Sequence, residues 1–348
     1  MKLSRFIPGF LLFATLCTTV ITGSLLPISL LADETMTNSK IVIAHRGASG
    51  YLPEHTLQAK ALAYGMGADF IEQDVVLTRD KIPVVIHDLE LDDVSNVKQV
   101  FPDRARRDGK YYVIDFDLAE LKQLNLHERT RQNGSPRYPA RFPPGDSAFK
   151  IATLGEEIEL IQGLNKSTGK NIGIYTELKS PAWHRDQGYD LSIIVLETLS
   201  EYGYNDASDN IYLQCFDHTE LQRVRDELNS KLKLVQLIGE NSWNEADTDY
   251  NELRTREGLE KIATYANGIG PSIDHIVRHR NGDMQITSLV KDAHNLNLAV
   301  HPYTLRKDNL PAYVSAFDEL LDILFNQAGV DGVFTDFPDL AVKFKNQN

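Results

Sequence analysis

Residues 70–78 read FIEQDVVLT, an apolar run that carries two acids, Glu72 and Asp74. Similar β-rich runs recur along the chain, and stretches with helical periodicity separate them. Nearly apolar runs are typical of parallel strands buried on both faces, and their alternation with helices indicates repeated βα units. The sequence therefore predicts an α/β fold, a (β/α)₈ TIM barrel. Its eight predicted strands are Ile41–Ala44, Phe70–Thr78, Ile172–Leu178, Ile211–Phe216, Lys233–Ile238, Gly268–Pro271, Leu298–Tyr303 and Gly332–Thr335.

The alternation is broken between the second and third of these strands. Residues at about 88–150 contain several prolines and many arginines, and they show no clear strand of the barrel type. We interpret this segment as a small subdomain inserted into a catalytic barrel that spans residues 40–348. Either the arginines of this segment form a positive rim over an anion site, or they are ion-paired in a solvated cap. The arginines are Arg104, Arg106, Arg107, Arg129, Arg131, Arg137 and Arg141.

The N-terminus has the pattern of an export signal. Lys2 and Arg5 precede a stretch, residues 6–32, that contains no charged residue. A short positive region followed by an apolar region is typical of a secretory signal peptide. We therefore predict that residues 1–32 are a signal peptide and that the mature protein is exported. An uncleaved anchor and a lipid anchor on Cys17 are the alternatives.

The mature chain is acidic and has a single cysteine. Without residues 1–32 it carries 34 basic and 49 acidic residues, a net charge of about −15. Such a surface repels phosphate backbones, so nucleic acid and anionic membranes are poor partners, and a small anionic substrate needs local cations. Cys215 is the only cysteine after Cys17. An internal disulfide is therefore not expected in the mature protein, which must rely on burial of its core.

Three acids are predicted to converge at the carboxyl ends of the strands, where the sites of such barrels form. Glu72 and Asp74 are two residues apart, so their side chains point to one face of a strand, and Glu177 ends the next barrel strand. Three carboxylates packed together repel one another unless a cation lies among them. Hard oxygen ligands favour Ca²⁺ or Mg²⁺. We predict a divalent cation here; simple pairing with Arg46 or Lys179 is the alternative.

Two histidines follow apolar runs near these acids. His45 follows the first strand, and His87 follows the short run Val84-Val85-Ile86. Near neutral pH one imidazole can accept a proton while another donates one, so we predict an acid and base pair. The guanidinium of Arg46 can donate two parallel hydrogen bonds to phosphate oxygens, and the ammonium of Lys179 can attract them as a compact positive charge. Further candidate pocket residues are Glu54, Gln214 and His301.

These residues belong to motifs that resemble a known family. The motifs are His45-Arg46-Gly47-Ala48-Ser49-Gly50, Pro53-Glu54-His55-Thr56, Glu72-x-Asp74, His87-Asp88, Glu177-x-Lys179 and Val333-Phe334-Thr335-Asp336-Phe337-Pro338. Together they resemble the glycerophosphodiester phosphodiesterase family, in particular its bacterial periplasmic members. The similarity runs from about Lys40 to the C-terminus and includes the insertion.

The resemblance implies a barrel enzyme that hydrolyses deacylated phospholipids, such as glycerophosphocholine and glycerophosphoethanolamine, to sn-glycerol 3-phosphate and an alcohol. It implies a periplasmic location, a small-molecule substrate and no stable membrane association once the signal is removed. It leaves the oligomeric state open, a homodimer included. The roles that it implies are acid and base for His45 and His87, ligands of one divalent cation (Ca²⁺, with Mg²⁺ as the alternative) for Glu72, Asp74 and Glu177, and phosphate contacts for Arg46 and Lys179.

The predicted mechanism passes through a cyclic phosphate, because the free glycerol hydroxyl next to the ester is placed to attack phosphorus. His55 stands where the motif often has asparagine, so we expect no unique role for it. Two other functions compete with this prediction. One is a phosphodiesterase of the same fold that cleaves intact lipid, either like sphingomyelinase D or on phosphoinositides. The other is a surface binding protein or adhesin.

Overall fold

The computed structural model describes residues 40–143, 145, 148–280 and 282–347. The predicted signal peptide, residues 1–32, lies outside them. Twelve strands occur in the described residues: β1 (Ile41–Ala44), β2 (Phe70–Leu77), β3 (Pro83–Val85), β4 (Ala152–Thr153), β5 (Gly173–Leu178), β6 (Ile211–Cys215), β7 (Lys233–Ile238), β8 (Gly268–Pro271), β9 (Val277–Arg280), β10 (Asp283–Ile286), β11 (Ala299–Val300) and β12 (Gly332–Thr335).

Eight of these strands form one parallel sheet, in the order β11-β8-β7-β6-β5-β2-β1-β12. Backbone hydrogen bonds join the two ends of this order. The Asp331 N–H donates to the Val300 carbonyl at 3.0 Å, and the Phe334 N–H donates to the Pro302 carbonyl at 3.0 Å. Closure into a barrel leaves no free sheet edge along these eight strands. The predicted (β/α)₈ barrel is confirmed.

Four predicted strands agree with the structure at both ends, because each apolar run is bounded by polar or turn residues. The seventh strand is shorter than predicted, since β11 covers only part of the range Leu298–Tyr303. Pro302 lacks an N–H and cannot complete the ladder. The chain nevertheless stays beside β8, because the His301 N–H donates to Ile269 at 2.9 Å and the Tyr303 N–H donates to Pro271 at 3.1 Å.

The described helices lie between the strands and end at recognisable caps. The helix Leu154–Thr168, for example, begins at a capping box made by Thr153 and Glu156 and ends at Gly169, whose φ is +70°. Across the described residues, no helix is both long enough and apolar enough to cross a membrane. The helices are α1 (Leu57–Met66), α2 (Val97–Val100), α3 (Leu118–Leu121), α4 (Leu154–Thr168), α5 (Pro181–Asp186), α6 (Leu191–Glu201), α7 (His218–Asp226), α8 (Tyr250–Leu253), α9 (Arg256–Ile262), α10 (Ile273–Ile276), α11 (Leu289–His294), α12 (Phe317–Asp322) and α13 (Pro338–Gln347).

Aromatic side chains fill the interior of the barrel on the side away from the carboxyl ends of the strands. Tyr175 stacks on Tyr212 with ring centroids 4.9 Å apart, and it meets Phe334 edge to face at 4.9 Å. On the outer face of the barrel, Cys215 is buried beneath the helices. Its thiol donates to the Leu178 carbonyl at 3.2 Å. The filled interior forms a floor, so a ligand can enter only at the carboxyl ends of the strands.

The inserted subdomain connects β3 to β4 and has its own hydrophobic cluster. Phe116, Leu121 and Leu124 are fully buried at its centre. Val76 of β2 and Val84 of β3 belong to the same cluster. The inserted segment therefore packs directly on a hairpin that extends one barrel strand, because β3 pairs antiparallel with β2.

Candidate active site

A cavity of about 480 Å³ opens at the carboxyl ends of the barrel strands. Inward-facing positions near the ends of parallel strands reach the same mouth of a barrel. Lys179 lies beside the lining residues, with its Nζ 2.8 Å from Glu177 Oε1. Seven of the sequence-predicted residues line the cavity: His45, Arg46, Glu72, Asp74, His87, Glu177 and Gln214.

Glu72, Asp74 and Glu177 form a buried group of acids. Asp74 and Glu177 are partners in the register of β2 and β5, and at most 5% of any of the three residues is exposed. Burial and the charge of Asp74 raise the pKa of Glu72 well above its usual range. Burial also raises the pKa of Glu177 to about 8, although Lys179 opposes this. Charge repulsion therefore keeps the three from ionising together without further positive charge.

The residues present fit a divalent cation. Asp74 Oδ1 and Gln214 Oε1 are buried and have no hydrogen-bond partner among the described residues. Both side chains line the cavity together with Glu72 and Glu177. An oxygen-rich site with unpartnered acceptors is the kind of donor set that hard cations select.

His55 approaches these acids more closely than the sequence predicted. Ligand atoms of His55, Glu72 and Asp74 lie within 4.8 Å of one another. However, both ring nitrogens of His55 already have partners: Nε2–H donates to Asp74 Oδ2 at 2.7 Å, and Nδ1 lies 3.2 Å from the Lys60 ammonium. His55 is also only 1% exposed. It therefore orients the Asp74 carboxylate through a hydrogen bond that the sequence did not predict.

Lys60 extends this support into the helix layer. Its ammonium donates to the Glu72 carbonyl and lies 3.1 Å from Glu157 Oε2 on α4. Both side chains are completely buried. Burial raises the pKa of Glu157 to about 7, although Lys60 opposes the shift. A buried polar chain of this kind fixes geometry because each member constrains the next.

His45 is anchored at one ring nitrogen. Its Nδ1–H donates to Asp336 Oδ1 at 2.6 Å, and Asp336 Oδ2 accepts from Arg141 Nη2 at 2.7 Å and Arg306 Nε at 2.8 Å. This arrangement directs Nε2 of His45 toward the cavity. Burial and the neighbouring Arg46 lower the pKa of His45 to about 4, so its imidazole is neutral and can accept a proton.

His87 is held in the same manner. Its Nδ1–H donates to Asp88 Oδ1 at 2.5 Å, and Asp88 is in turn bound by Arg129. Nε2 of His87 lies 3.5 Å from Lys179 Nζ. Burial and Arg46 lower the pKa of His87 as well. Two imidazoles, each oriented by a carboxylate and an arginine, thus face one cavity.

Arg46 lies between the histidines and the acids. Its Nη1 donates to Glu54 Oε1 at 2.9 Å, and its backbone N–H donates to Glu72 Oε2 at 2.5 Å. The turn that carries it packs closely on α1: a Cβ on Gly47, whose φ is +82°, would lie 2.8 Å from the Ala59 carbonyl carbon. The glycine is therefore required for the close approach of this turn to the helix.

Two predicted pocket residues lie outside the main cavity. Glu54 lines a neighbouring cavity of about 250 Å³ and also accepts from Arg129 Nη2 at 2.7 Å. His301 is 1% exposed and hydrogen-bonds through Nδ1 with the Tyr175 hydroxyl at 2.9 Å. The expectation that His301 lines the pocket is wrong, because it lies one inward position below Tyr303, and Tyr303 reaches the cavity instead.

Four arginines of the insertion are ion-paired, and they differ in where their carboxylate partners lie. Arg104 pairs with Glu120 and Arg106 with Asp115 inside the subdomain, as in an ion-paired cap. Arg129 and Arg141 instead reach the carboxylates that orient the two histidines. The insertion therefore supplies part of the site.

Comparison with known proteins gives this site its context. Residues 45–340 match the sequence model of the glycerophosphoryl diester phosphodiesterase family. A glycerophosphodiester phosphodiesterase of Haemophilus influenzae is 43% identical over 334 residues, covering 90% of this chain and 92% of that protein. One of Treponema pallidum is 38% identical over 327 residues, with 88% and 92% covered.

The chain belongs to the glycerophosphoryl diester phosphodiesterase family. It is a phosphoric diester hydrolase that acts on glycerophosphodiesters, and the predicted family and activity are confirmed. The fold has the same relatives among solved structures. A phosphodiesterase of Oleispira antarctica, in complex with the product sn-glycerol-3-phosphate, matches with a TM-score of 0.60 at 21% identity and covers 88% of this chain and 96% of that one.

Several residues of this glycerophosphoryl diester phosphodiesterase site were missed by the sequence analysis. Asp88 and Asp336 were named only as members of motifs, although the place of Asp88 directly after His87 could have indicated a pair. Arg129 and Arg141 were named among the arginines of the insertion, but their contacts with Asp88 and Asp336 could not be predicted, because those contacts depend on how the insertion folds back.

Proposed function

We propose that the enzyme releases sn-glycerol 3-phosphate and a free alcohol from deacylated phospholipids, with His45 and His87 as acid and base. The observation that carries the proposal is that both imidazoles are anchored at Nδ1 and line one cavity with three acids. The sn-glycerol-3-phosphate held by the Oleispira antarctica neighbour supports the same product here.

The proposed reaction uses a hydroxyl of the substrate as the first nucleophile. One histidine accepts the proton of the glycerol hydroxyl next to the ester while its oxygen bonds to phosphorus. The other histidine donates a proton to the departing alcohol oxygen as its bond to phosphorus breaks. Water then opens the five-membered cyclic phosphate, and the same residues carry the two protons in reverse. Arg46 and Lys179 bind the phosphate oxygens and hold the ester in line.

A divalent cation, when bound, would supply positive charge to the phosphate oxygens. Glu72, Asp74 and Glu177 would hold it, with His55 keeping the Asp74 carboxylate in orientation. We propose Ca²⁺ as the ion, with Mg²⁺ as the alternative, because carboxylates and an amide oxygen are the donors that both ions accept.

The test is release of sn-glycerol 3-phosphate from glycerophosphocholine by the purified protein. EDTA should abolish the activity, and Ca²⁺ or Mg²⁺ should restore it. We expect His45→Ala and His87→Ala each to lower kcat by about 10²–10⁴-fold, the usual contribution of a general acid or base. His294→Ala is the matched control, because His294 is exposed and pairs with Asp331 away from the cavity. More than a tenth of wild-type kcat in either catalytic variant would contradict the assignment.

The cyclic route has a separate test. A glycerophosphodiester that lacks the hydroxyl next to the ester has no internal nucleophile, so we expect its turnover to fall by at least about 10³-fold. Phosphorus NMR of the normal reaction under single-turnover conditions should show the cyclic phosphate before the product. Rapid turnover of the deoxy substrate would rule out this route.

The substrate is proposed to be soluble. The mature net charge of about −15 disfavours anionic lipid surfaces, which supports a deacylated substrate over intact lipid. Comparing glycerophosphocholine with phosphatidylcholine or sphingomyelin liposomes tests this. Faster release of product from liposomes would favour the intact-lipid alternative.

We also propose periplasmic export through residues 1–32, with residues 40–348 as the catalytic unit. The uncharged stretch of residues 6–32 behind two basic residues supports this. Expression of the full chain should place activity in the osmotic-shock fraction, and intact mass should show loss of about 32 residues. Activity that stays in the cytosolic fraction with full-length mass would contradict export.

A further inference from the structure

Lys60 is a completely buried lysine that the proposed reaction does not use. It lies on α1, and its side chain has no exposed surface. An ammonium group has three N–H donors and no acceptor. Each donor has an acceptor within reach, and these acceptors are the Glu72 backbone carbonyl, Glu157 Oε2 at 3.1 Å and His55 Nδ1 at 3.2 Å. The ammonium is therefore fixed in one position beside the His55 ring.

The contact with Lys60 decides where the hydrogen of the His55 ring lies. A neutral imidazole has one N–H and one acceptor nitrogen. Because the Lys60 ammonium can only donate, Nδ1 of His55 is the acceptor and the hydrogen lies on Nε2. The carboxylate on the other side of the ring requires the same arrangement, since Asp74 Oδ2 accepts from Nε2 at 2.7 Å. Two separate neighbours thus fix a single tautomer.

This tautomer removes His55 from the ligands that a cation could use. Its position is suitable, because ligand atoms of His55, Glu72 and Asp74 lie within 4.8 Å of one another. A histidine that binds a metal offers the lone pair of one ring nitrogen and donates from the other, usually to a carboxylate or a carbonyl. In His55 the nitrogen that faces Asp74 carries the hydrogen, and the other nitrogen faces an ammonium. The ring is therefore close to the acids but offers them no free lone pair.

The donors that remain for a cation are oxygens. Asp74 Oδ2 accepts from His55 and lies 3.5 Å from Arg46 Nε, which leaves Oδ1 of the same carboxylate. Within the described ranges, Asp74 Oδ1 and Gln214 Oε1 are buried atoms that lack a hydrogen-bond partner. Oxygen donors suit Ca²⁺ and Mg²⁺, whereas an imidazole nitrogen suits Zn²⁺. The tautomer of one ring thus distinguishes two classes of ion.

We propose that Lys60 is a positioning residue that sets the ion selectivity of the site. By holding His55 as a donor to Asp74, it keeps the ligands all-oxygen and favours Ca²⁺ or Mg²⁺ over Zn²⁺. The inference rests on the divalent cation of the proposed function. Without the ammonium, Nδ1 of His55 can carry the hydrogen and Nε2 can offer its lone pair, so that a nitrogen ligand joins the oxygens.

The affinities of the purified enzyme for two ions test the proposal. The quantity is the ratio of the Kd for Ca²⁺ to the Kd for Zn²⁺, measured by isothermal titration calorimetry. The variant combines Lys60→Met with Glu157→Gln, because loss of the ammonium alone would leave the buried Glu157 carboxylate without its partner. We expect the ratio to rise by about tenfold or more, the usual size of effects from residues that orient metal ligands.

Two further variants identify the cause of such a change. Glu157→Gln alone keeps the ammonium against His55, so the wild-type ratio should be retained. Adding His55→Asn to the double variant removes the imidazole and should cancel the gain in affinity for Zn²⁺. Each protein is compared with wild type by circular dichroism. An unchanged ratio in the double variant, or a gain that survives His55→Asn, would overturn the proposal.

The tautomer of His55 can also be observed in the wild-type enzyme, so this test needs no substitution of Lys60. Proton–nitrogen correlation spectra of histidine-labelled protein distinguish a ring with Nε2–H from one with Nδ1–H, and His55→Asn identifies the signal. We expect Nε2–H, retained when Ca²⁺ or Zn²⁺ is added. A ring with Nδ1–H, or an Nε2 that binds the metal, would contradict the proposed role of Lys60.

These measurements do not depend on turnover, so they separate the inference from the proposed function. Enzyme that binds Ca²⁺ with His55 as the Nε2–H tautomer but does not hydrolyse glycerophosphocholine would refute the proposed reaction alone. Calcium-dependent hydrolysis with a metal-bound His55 would refute the selectivity role of Lys60 alone. Enzyme that binds neither ion would refute the cation site and its selectivity together.

Discussion

Asp336 is held between an imidazole and two guanidinium groups. One oxygen accepts from His45 at 2.6 Å, and the other accepts from Arg141 and Arg306. Burial opposes ionisation, but Arg306 and His45 hold the pKa of Asp336 well below its usual range. The carboxylate therefore stays charged and keeps His45 in the tautomer whose Nε2 faces the substrate.

Replacing this carboxylate by its amide should impair catalysis more than binding. In Asp336→Asn the amide carries no charge to stabilise a protonated His45, and either of its two ends can face the ring. We expect kcat to fall by about 10²-fold or more while KM changes by less than about threefold. Steady-state kinetics with glycerophosphocholine measure both.

The matched control for this variant is Asp308→Asn. Asp308 binds the same Arg141, through Nε at 2.8 Å and Nη2 at 3.0 Å, but it does not touch His45. If Asp308→Asn lowers kcat as much as Asp336→Asn, the effect comes from the anchoring of Arg141 and not from His45. A KM effect without a kcat effect in Asp336→Asn would likewise contradict the assignment.

At the residue scale, the sequence predicted the site residues at strand ends better than the residues that hydrogen-bond them in place. His45, Glu72, Asp74 and Glu177 follow from the rule that barrel sites form at strand ends, and the structure brings them to one cavity. His55 could not be placed, since its contact with Asp74 depends on a turn in which its φ is +61°.

At the scale of secondary structure, a buried histidine joins α5 to the end of β2. His184 Nδ1–H donates to the Ser180 carbonyl at 3.0 Å, while Nε2 accepts from the Leu77 N–H at 3.2 Å. The imidazole must be neutral to accept from Leu77. Burial lowers the pKa of His184 to about 4, below the value of about 6.5 for an unfolded chain.

This shift gives stability a defined pH dependence. Because the unfolded chain takes up the proton at higher pH than the folded one, the contribution of His184 is fully present above pH 6.5 and is lost as pH falls toward 4. The loss is about 3 kcal/mol for one group. Urea unfolding at pH 7, 5 and 4 should therefore show wild type losing more stability than His184→Gln.

The comparison isolates one histidine, because burial lowers the pKa of His45, His55 and His301 in both proteins. His279→Gln serves as the control, since His279 is exposed on the β9–β10 hairpin. It should follow wild type at every pH. If wild type and His184→Gln lose the same free energy of unfolding as the pH falls, the pKa of His184 does not differ between the folded and unfolded states, and the prediction fails.

Strand positions were predictable where an apolar run ends at a polar residue, as in β1, β7, β8 and β12. The β9–β10 hairpin was not predicted. Its residues are largely exposed and carry charges, so they show no buried run, and their pairing depends on the turn between the two strands.

At the scale of the whole molecule, the insertion and the barrel share buried surface. Phe116 of the insertion is fully buried in the cluster that also contains Val76 of β2 and Val84 of β3. Arg129 and Arg141 add polar contacts across the site. Two units joined through a common core are expected to unfold together.

We therefore predict one cooperative unfolding transition for the mature protein. Phe116→Ala should lower the free energy of unfolding by about 3–5 kcal/mol, the usual cost of truncating a buried phenylalanine, and should shift the whole transition. Phe317→Ala, which truncates a buried ring in the barrel's own helix layer, should shift the same transition. The measurement is urea unfolding followed by circular dichroism and by loss of activity.

Independent domains would behave differently. Phe116→Ala would then move only an early transition and Phe317→Ala only a later one.

The sequence could not predict how the insertion contributes to the site. Its prolines and arginines show no strand or helix periodicity, so the contacts with Asp88 and Asp336 could not be derived from the sequence.

Cys215 has a consequence for the conditions under which this enzyme can work. The thiolate is the form of cysteine that reacts with peroxide, disulfides and alkylating agents. Burial raises the pKa of this thiol well above its usual range, and the side chain, at the end of β6, is almost completely buried. The folded barrel therefore offers oxidants no accessible thiolate and needs no oxidant to fold, so reducing and oxidising compartments should suit it equally.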